Sequence, residues 1–104
     1  MLVVNRFRGP ADDAALRGDL EAALALLAAQ PGCEDARLGR NVDDPDLWVM
    51  VTLWQDVGSY RRGLSSYDVK MGAWQTLARA IEEPSAYEPV TPGSALNQAG
   101  ARSL

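Results

Sequence analysis

The chain has 104 residues, of which 47% are hydrophobic and 23% are charged, and its formal net charge at pH 7 is −4. This length fits one domain with one core, and an acidic chain whose arginines are scattered among acids is not expected to bind nucleic acid. The sequence has no histidine and a single cysteine, Cys33, which excludes the commonest proton shuttle, histidine-based metal sites and an intrachain disulfide.

The first predicted element is a short strand over residues 2–8. Its side chains alternate, so Val3, Asn5 and Phe7 share one face, and a Gly-Pro pair ends the strand. An asparagine is disfavoured in the interior of a strand. Asn5 is therefore the first residue in the chain whose position calls for an explanation.

The second predicted element is an amphipathic helix, because leucines recur at helical spacing over residues 16–27. Asp12 or Asp13 can cap its first turn, and the Pro-Gly pair at residues 31–32 ends it. Gly18 lies inside this helix and is expected to cost about 1 kcal/mol relative to alanine. The leucine stripe can outweigh that cost.

Two further strands are predicted over residues 33–42 and 47–54, separated by a turn rich in Asn and Asp. The second of these has the clearest pattern in the chain, with two apolar sides. One side is aliphatic and consists of Leu47, Val49, Val51 and Leu53. The other side consists of Trp48, Met50, Thr52 and Trp54. Both sides of this strand are therefore expected to be buried.

A helix in two pieces follows. Asp56 is suited to capping a short helix that runs to residue 64, and Ser65 with Asp68 resembles a capping box for a second helix. Pro84 stops that helix, and residues 85–90 are predicted to form a closing strand.

The predicted domain spans residues 1–90, and residues 91–104 lack periodicity and are expected to form a flexible tail. The longest apolar stretch, residues 22–29, is far shorter than the roughly 20 residues that a membrane-spanning helix needs. No membrane partner is therefore expected. The simplest prediction for location is the cytoplasm.

The element order βαββαβ, with the second helix in two pieces, predicts an α+β fold, the ferredoxin-like split βαβ sandwich. Helices cover one face of such a sheet. A central strand that is apolar on both sides then requires a cover for the other face, and a second copy is the simplest one. The sequence thus predicts a homodimer, a dimeric α/β barrel formed by sheet-to-sheet packing with the aliphatic side of residues 47–53 in its core.

In this arrangement Asn5 and Trp54 lie on the helix-facing side of the sheet, near Phe7 and Met50. A buried carboxamide must find hydrogen-bond partners in the protein or receive them from a ligand. The alternative is that Asn5 bonds to a loop backbone and that Trp54 only fills the core, with its N–H satisfied. Tyr60, Tyr67 and Trp74 fall on the helices, where they either form the opposite wall of a site or pack against the sheet.

Three segments together resemble a known family. They are Val-Asn-Arg-Phe at residues 4–7, Gln-Pro-Gly at residues 30–32, and the strand of residues 48–54 that runs into Gln-Asp. The likeness covers about residues 2–90 and is to the antibiotic biosynthesis monooxygenases, closest to the cofactor-independent anthrone oxygenases of aromatic polyketide pathways. The resemblance implies a ferredoxin-like dimer with an active-site cavity in each subunit, between the sheet and the helices.

The resemblance also implies catalytic roles for Asn5 and Trp54, with Asn5 holding a developing enolate oxygen and the indole positioning the substrate or an oxygenated intermediate. A second asparagine of the anthrone oxygenases falls on Met50, which is a departure from the family pattern. In haem-degrading relatives a tryptophan and an iron-binding histidine fall on Gly63 and Ala73, so haem degradation of that type is not expected. The predicted substrate-binding residues are Phe7, Met50, Tyr60, Tyr67 and Trp74.

The leading functional hypothesis is a small monooxygenase that oxidises a polycyclic aromatic, anthrone- or quinol-like compound with O2 and needs neither a cofactor nor a metal. The alternative is a noncatalytic dimer that binds a small hydrophobic ligand on the same scaffold. A third possibility, an isomerase or decarboxylase, would need Tyr67 or an acid such as Asp68 as its acid–base group. A cavity of at least about 300 Å³ that reaches Asn5 and Trp54 would favour the enzyme.

Overall fold

The computed structural model describes residues 1–96 of the chain. Within this part, one antiparallel sheet has the strand order β2-β3-β1-β4. Its strands are β1 (Leu2–Arg8), β2 (Cys33–Arg40), β3 (Leu47–Trp54) and β4 (Ala86–Tyr87). The helices are α1 (Ala14–Ala28), α2 (Val57–Leu64), α3 (Tyr67–Gly72) and α4 (Trp74–Leu77). The predicted α+β, ferredoxin-like class is confirmed.

Pairing between β1 and β3 sets which side chains face the helices. Asn5 lies opposite Met50, and Val3 lies opposite Thr52. Alternate residues of β3 are buried, and they are the predicted helix-facing set of Trp48, Met50, Thr52 and Trp54. The predicted burial of the helix-facing side is therefore confirmed. The four aliphatic residues of the other side, predicted to lie in a dimer core, are half-buried in the single chain, and their burial by a second copy stays a prediction.

Helix α1 packs its apolar stripe on the sheet. Asp13 caps it by accepting a hydrogen bond of 2.9 Å from the backbone N–H of Leu16. The buried residues of the helix are Leu16, Leu20, Ala23 and Leu27. Leu24, the remaining member of the predicted stripe, is half-buried at the side of the helix.

The second piece of the predicted helix was expected to run without a break from Ser65 to Pro84. The structure instead has two short helices there, α3 and α4. Ser66, not Ser65, caps α3, and the helix ends at Ala73, where φ is −129°. After α4 the backbone N–H of Ile81 donates to the carbonyl of Arg6 over 2.7 Å. The chain leaves the helical path because its backbone groups bond to the edge of β1 instead.

The closing strand is also shorter than the predicted residues 85–90, since β4 contains only two residues. Pro84 and Pro89 flank this short pairing, and a proline has no N–H to give to a strand ladder. Residues 97–104, most of the predicted tail, lie outside the described part of the chain. The domain boundary at residue 90 stays a prediction.

Replacing two of the glycines by alanine is expected to change the stability in opposite directions. Gly32 has φ +88°, and a Cβ there would lie 2.5 Å from Cβ and Oγ of Ser59, whereas a Cβ on Gly18 would meet nothing within 4 Å. We expect Gly32→Ala to lower the free energy of unfolding by about 1–3 kcal/mol, and Gly18→Ala to raise it by up to about 1 kcal/mol. Chemical denaturation of both variants measures this, and an unchanged stability of Gly32→Ala would contradict the packing described here.

Candidate functional site

A cavity of about 330 Å³ lies between the helix-facing side of the sheet and the helices. Its polar groups come from the sheet, where Asn5 and Thr52 border it, and from Tyr60 on α2. The rest of the wall is apolar or aromatic and consists of Leu27, Leu64, Trp74, Leu77 and Ala78. The cavity is thus an apolar chamber with a few polar groups, which is the usual character of a small-molecule site.

Asn5 is the polar residue that β1 contributes. Among residues 1–96 its carboxamide makes no hydrogen bond with the protein, and it is half-buried at the cavity surface. No buried side-chain nitrogen or oxygen in this part of the chain is left without a partner, so the carboxamide is open to the cavity and not sealed in the core. Its donor and acceptor groups are therefore available to a ligand.

Trp54 lies next to Thr52 on the same face of β3. Its indole N–H donates to Thr52 Oγ1 over 2.8 Å, and the side chain is 1% exposed. Tyr60 meets the indole edge-to-face with 5.5 Å between ring centroids, and a Cβ on Gly63 would lie 2.9 Å from Cη2 of Trp54. Trp54 does not line the cavity. This differs from the expected direct contact between the indole and a ligand, since Trp54 contacts the lining residues Thr52 and Tyr60 and not the cavity itself.

Tyr60 is the titratable side chain in the cavity lining. Burial raises the pKa of its phenol. Desolvation disfavours the phenolate, so the hydroxyl keeps its proton at neutral pH and can donate a hydrogen bond. Among residues 1–96, no carboxylate, lysine or cysteine lines the cavity.

Trp74 forms an aromatic wall at the junction of α3 and α4 and is half-exposed. Its indole N–H donates to the carbonyl of Leu64 over 2.9 Å, and the ammonium of Lys70 lies 5.7 Å from its ring centroid. These contacts hold the ring in place although the helices that carry it are short. A flat apolar guest can pack against such a surface.

Three other predicted site residues lie outside the cavity lining. Phe7 and Met50 are buried in the core, at 1% and 0% exposure. Tyr67 is 75% exposed on the first turn of α3, because that helix turns Val69 inward, so the expectation that its phenol points into the site is not met. Asp68 is exposed too. Neither Tyr67 nor Asp68 is placed to act as the acid–base group of an isomerase or decarboxylase in this cavity.

Sequence reasoning missed Thr52 as a site residue, although it placed Thr52 on the helix-facing side of β3. The signal was a hydroxyl on an otherwise apolar, buried face. The aliphatic part of the wall was also missed, because leucines on amphipathic helices carry no sign of whether they meet another side chain or a cavity. In the described residues 1–96, no group of three or more His, Cys, Asp or Glu could hold a metal ion. No helix in the same range is long and apolar enough to span a membrane.

The sequence matches the family described as antibiotic biosynthesis monooxygenase over residues 1–83. The chain belongs to that family. A search of curated proteins gives no significant match.

Solved structures are similar over most of the chain. SnoaB, a cofactor-independent oxygenase from Streptomyces nogalater, is 25% identical with a TM-score of 0.69, and the match covers 89% of this chain and 96% of that one. An alanine variant of SnoaB is 24% identical with a TM-score of 0.71 and the same coverage. A Mycobacterium tuberculosis protein is 21% identical with a TM-score of 0.68, covering 89% of this chain and 97% of its own. These likenesses establish the fold, and the family match together with SnoaB supports a monooxygenase-type scaffold.

Burial of the Tyr60 phenol makes the free energy of unfolding depend on pH, and the direction of this dependence can be stated. The folded state holds the Tyr60 proton more tightly than the unfolded state does, because burial raises its pKa. Its contribution to stability is thus complete below the unfolded pKa of about 10 and is lost as pH rises through the folded value. We expect alkaline unfolding to start at a higher pH in Tyr60→Phe, as followed by circular dichroism. Identical alkaline transitions in both proteins would show that the phenol is not desolvated.

Proposed function

We propose that this protein is a cofactor-independent monooxygenase that oxidises a polycyclic aromatic, anthrone- or quinol-like compound with O2. The observation that carries the proposal is the Asn5 carboxamide, which is unpaired within residues 1–96 and borders an apolar cavity of about 330 Å³. SnoaB, to which the chain is similar, is a cofactor-independent oxygenase, and this similarity supports the same reaction class.

The cavity suits a flat, mostly apolar guest. Its volume is near the lower end of the roughly 300–1,000 Å³ that small-molecule sites occupy. The helices supply aliphatic side chains and Trp74, while the polar groups of the sheet meet the guest from the other side. Such a site orients the ring system and removes water from its reacting edge.

The ligand itself supplies the reactivity in this proposal. The ring methylene of an anthrone lies across the central ring from the ketone and is conjugated with it through the flanking aromatic rings. It loses a proton to solvent at the open side of the cavity, and the resulting enolate passes one electron to O2. The substrate radical and superoxide then join through a carbon–oxygen bond, and the protonated peroxide loses water to leave a new carbonyl. In the overall reaction, the CH2 group and one O2 are converted to a C=O group and one H2O. The amide N–H of Asn5 stabilises the enolate oxygen during the first steps.

The second candidate is a noncatalytic protein that binds a small hydrophobic ligand. It is favoured by the absence of carboxylate, lysine and cysteine from the cavity lining. The two candidates make the same use of the cavity and differ only in whether O2 is consumed.

We also propose that the protein acts as a homodimer whose two sheets pack face to face. The uncovered side of the sheet carries the aliphatic residues of β3, and the register sets Val4 beside Val51 at its centre. A second copy would bury these half-exposed side chains and gain roughly 25 cal/mol for each Å² of apolar surface covered.

Oxygen uptake tests the reaction. With dithranol, an anthrone, and no added metal or flavin, we expect the purified protein to consume one O2 per anthraquinone formed. Asn5→Leu keeps a similar volume but removes the donor, and the loss of one such donor typically lowers kcat by about 100-fold or more. The matched control is Gln75→Leu, which removes an exposed amide outside the cavity lining and is expected to leave the rate unchanged.

The outcomes separate the two candidates. Tight binding of dithranol without any uptake above the spontaneous rate would favour the noncatalytic binding protein. Equal rates for the wild type and Asn5→Leu would remove Asn5 from the mechanism.

The homodimer has its own test. Val51→Lys places a charge at the centre of the uncovered face and is expected to shift the protein from dimer to monomer in analytical ultracentrifugation. Val57→Lys is the matched control, because Val57 is 45% exposed on α2, away from that face. A wild-type protein that sediments as a monomer at all concentrations would refute the proposal.

A further inference from the structure

The hydrogen bond between Trp54 and Thr52 fixes the role of the threonine hydroxyl. An indole N–H can only donate, so Thr52 Oγ1 must be the acceptor in the 2.8 Å contact. A hydroxyl also has one hydrogen to donate, and within residues 1–96 the Thr52 hydroxyl gives that hydrogen to no protein acceptor. Thr52 is 2% exposed and borders the cavity, which is where an acceptor for this hydrogen can lie.

Thr52 and Asn5 lie close enough to act on the same ligand atom. Thr52 is opposite Val3 and Asn5 is opposite Met50, so the two are diagonal neighbours on adjacent strands and face the same side of the sheet. Diagonal pairs are about 7 Å apart at Cα and somewhat closer at Cβ, so two side chains that lean together can each reach one shared oxygen. Both side chains border the same cavity.

We propose that the Thr52 hydroxyl and the Asn5 amide N–H form a two-donor site for the ionised oxygen of an aromatic ketone or phenol. Trp54 is a positioning residue in this site, because its N–H occupies a lone pair of Thr52 Oγ1 and directs the hydroxyl hydrogen toward the cavity. The inference rests on the proposed function for its substrate class. It deepens that function by naming the group on the ligand that the protein recognises.

The test uses 1,8-dihydroxyanthraquinone, a coloured probe that has no ring methylene left to oxidise. Its bound phenol is titrated by visible absorbance. Two donors aimed at the phenolate lower its pKa, and loss of one charge-assisted hydrogen bond in Thr52→Val is expected to raise the bound pKa by about one pH unit or more. Thr52→Ser keeps the hydroxyl and should restore the wild-type value. Thr76→Val is the matched control, because it makes the same chemical change outside the cavity lining.

A double-mutant cycle tests the positioning role of Trp54. Trp54→Phe removes the N–H and is expected to raise the bound pKa by less than Thr52→Val does, because a free hydroxyl still points at the probe part of the time. In the double variant the effect of Trp54→Phe should vanish, since no hydroxyl remains to be oriented. Additive effects of the two substitutions would overturn the positioning role.

The remaining outcomes are also decisive. An unchanged bound pKa in Thr52→Val, with the probe still bound, would overturn the two-donor site whatever the oxygen uptake shows. Failure of the wild type to bind the probe would do the same. A wild type that shows the expected pKa shifts but consumes no O2 would keep the two-donor site and refute the proposed oxygenase activity.

Discussion

The antiparallel register between β1 and β3 is the constraint on which the site depends. It sets Asn5 opposite Met50 and Val3 opposite Thr52, so a carboxamide and a hydroxyl from two strands face the helices side by side. A shift of one residue would turn each of these side chains to the uncovered face. The pattern of β3 also favours this register. It buries Trp48, Met50, Thr52 and Trp54 on the face toward the helices and leaves the aliphatic residues on the other face.

A cavity without histidine, carboxylate or lysine limits what the protein can contribute to chemistry. It can exclude water, hold a ring system in place and offer neutral hydrogen-bond donors. Once a ligand displaces water from the cavity, neutral donors favour an anionic ligand strongly, because the local dielectric falls and the groups need not reorganise. The phenol of Tyr60 belongs to the same set, since burial keeps it protonated.

The strands could be predicted from sequence because period-two patterns and turn residues marked them clearly, and β1 and β3 have the predicted bounds. The region after Ser65 could not, since its path depends on long-range backbone bonds to β1 that the sequence pattern does not show: the N–H of Ile81 donates to Arg6, and the N–H of Val4 donates to Ser85. Asn5 was proposed as a site residue because an asparagine inside a strand is unusual, and it borders the cavity. Thr52 was not, because the sequence does not show that the indole N–H of Trp54 donates to its hydroxyl or that it borders the cavity. Tyr67 was predicted to bind the substrate but is exposed on α3, since a junction between two helices gives no sign of which way a phenol points.

Apart from Tyr60 on α2, the polar groups of the cavity lie on the strands and its apolar groups lie on the helices. This arrangement separates two properties that selection or protein engineering can alter. Side chains such as Leu27, Leu64 and Leu77 belong to helices and can change in size without disturbing the strand ladder. In the proposed function, the range of guests that the protein binds can therefore change while the proposed donor pair, Asn5 and Thr52, stays in place. Paralogues that diverge in this wall would keep the same chemistry on differently shaped molecules.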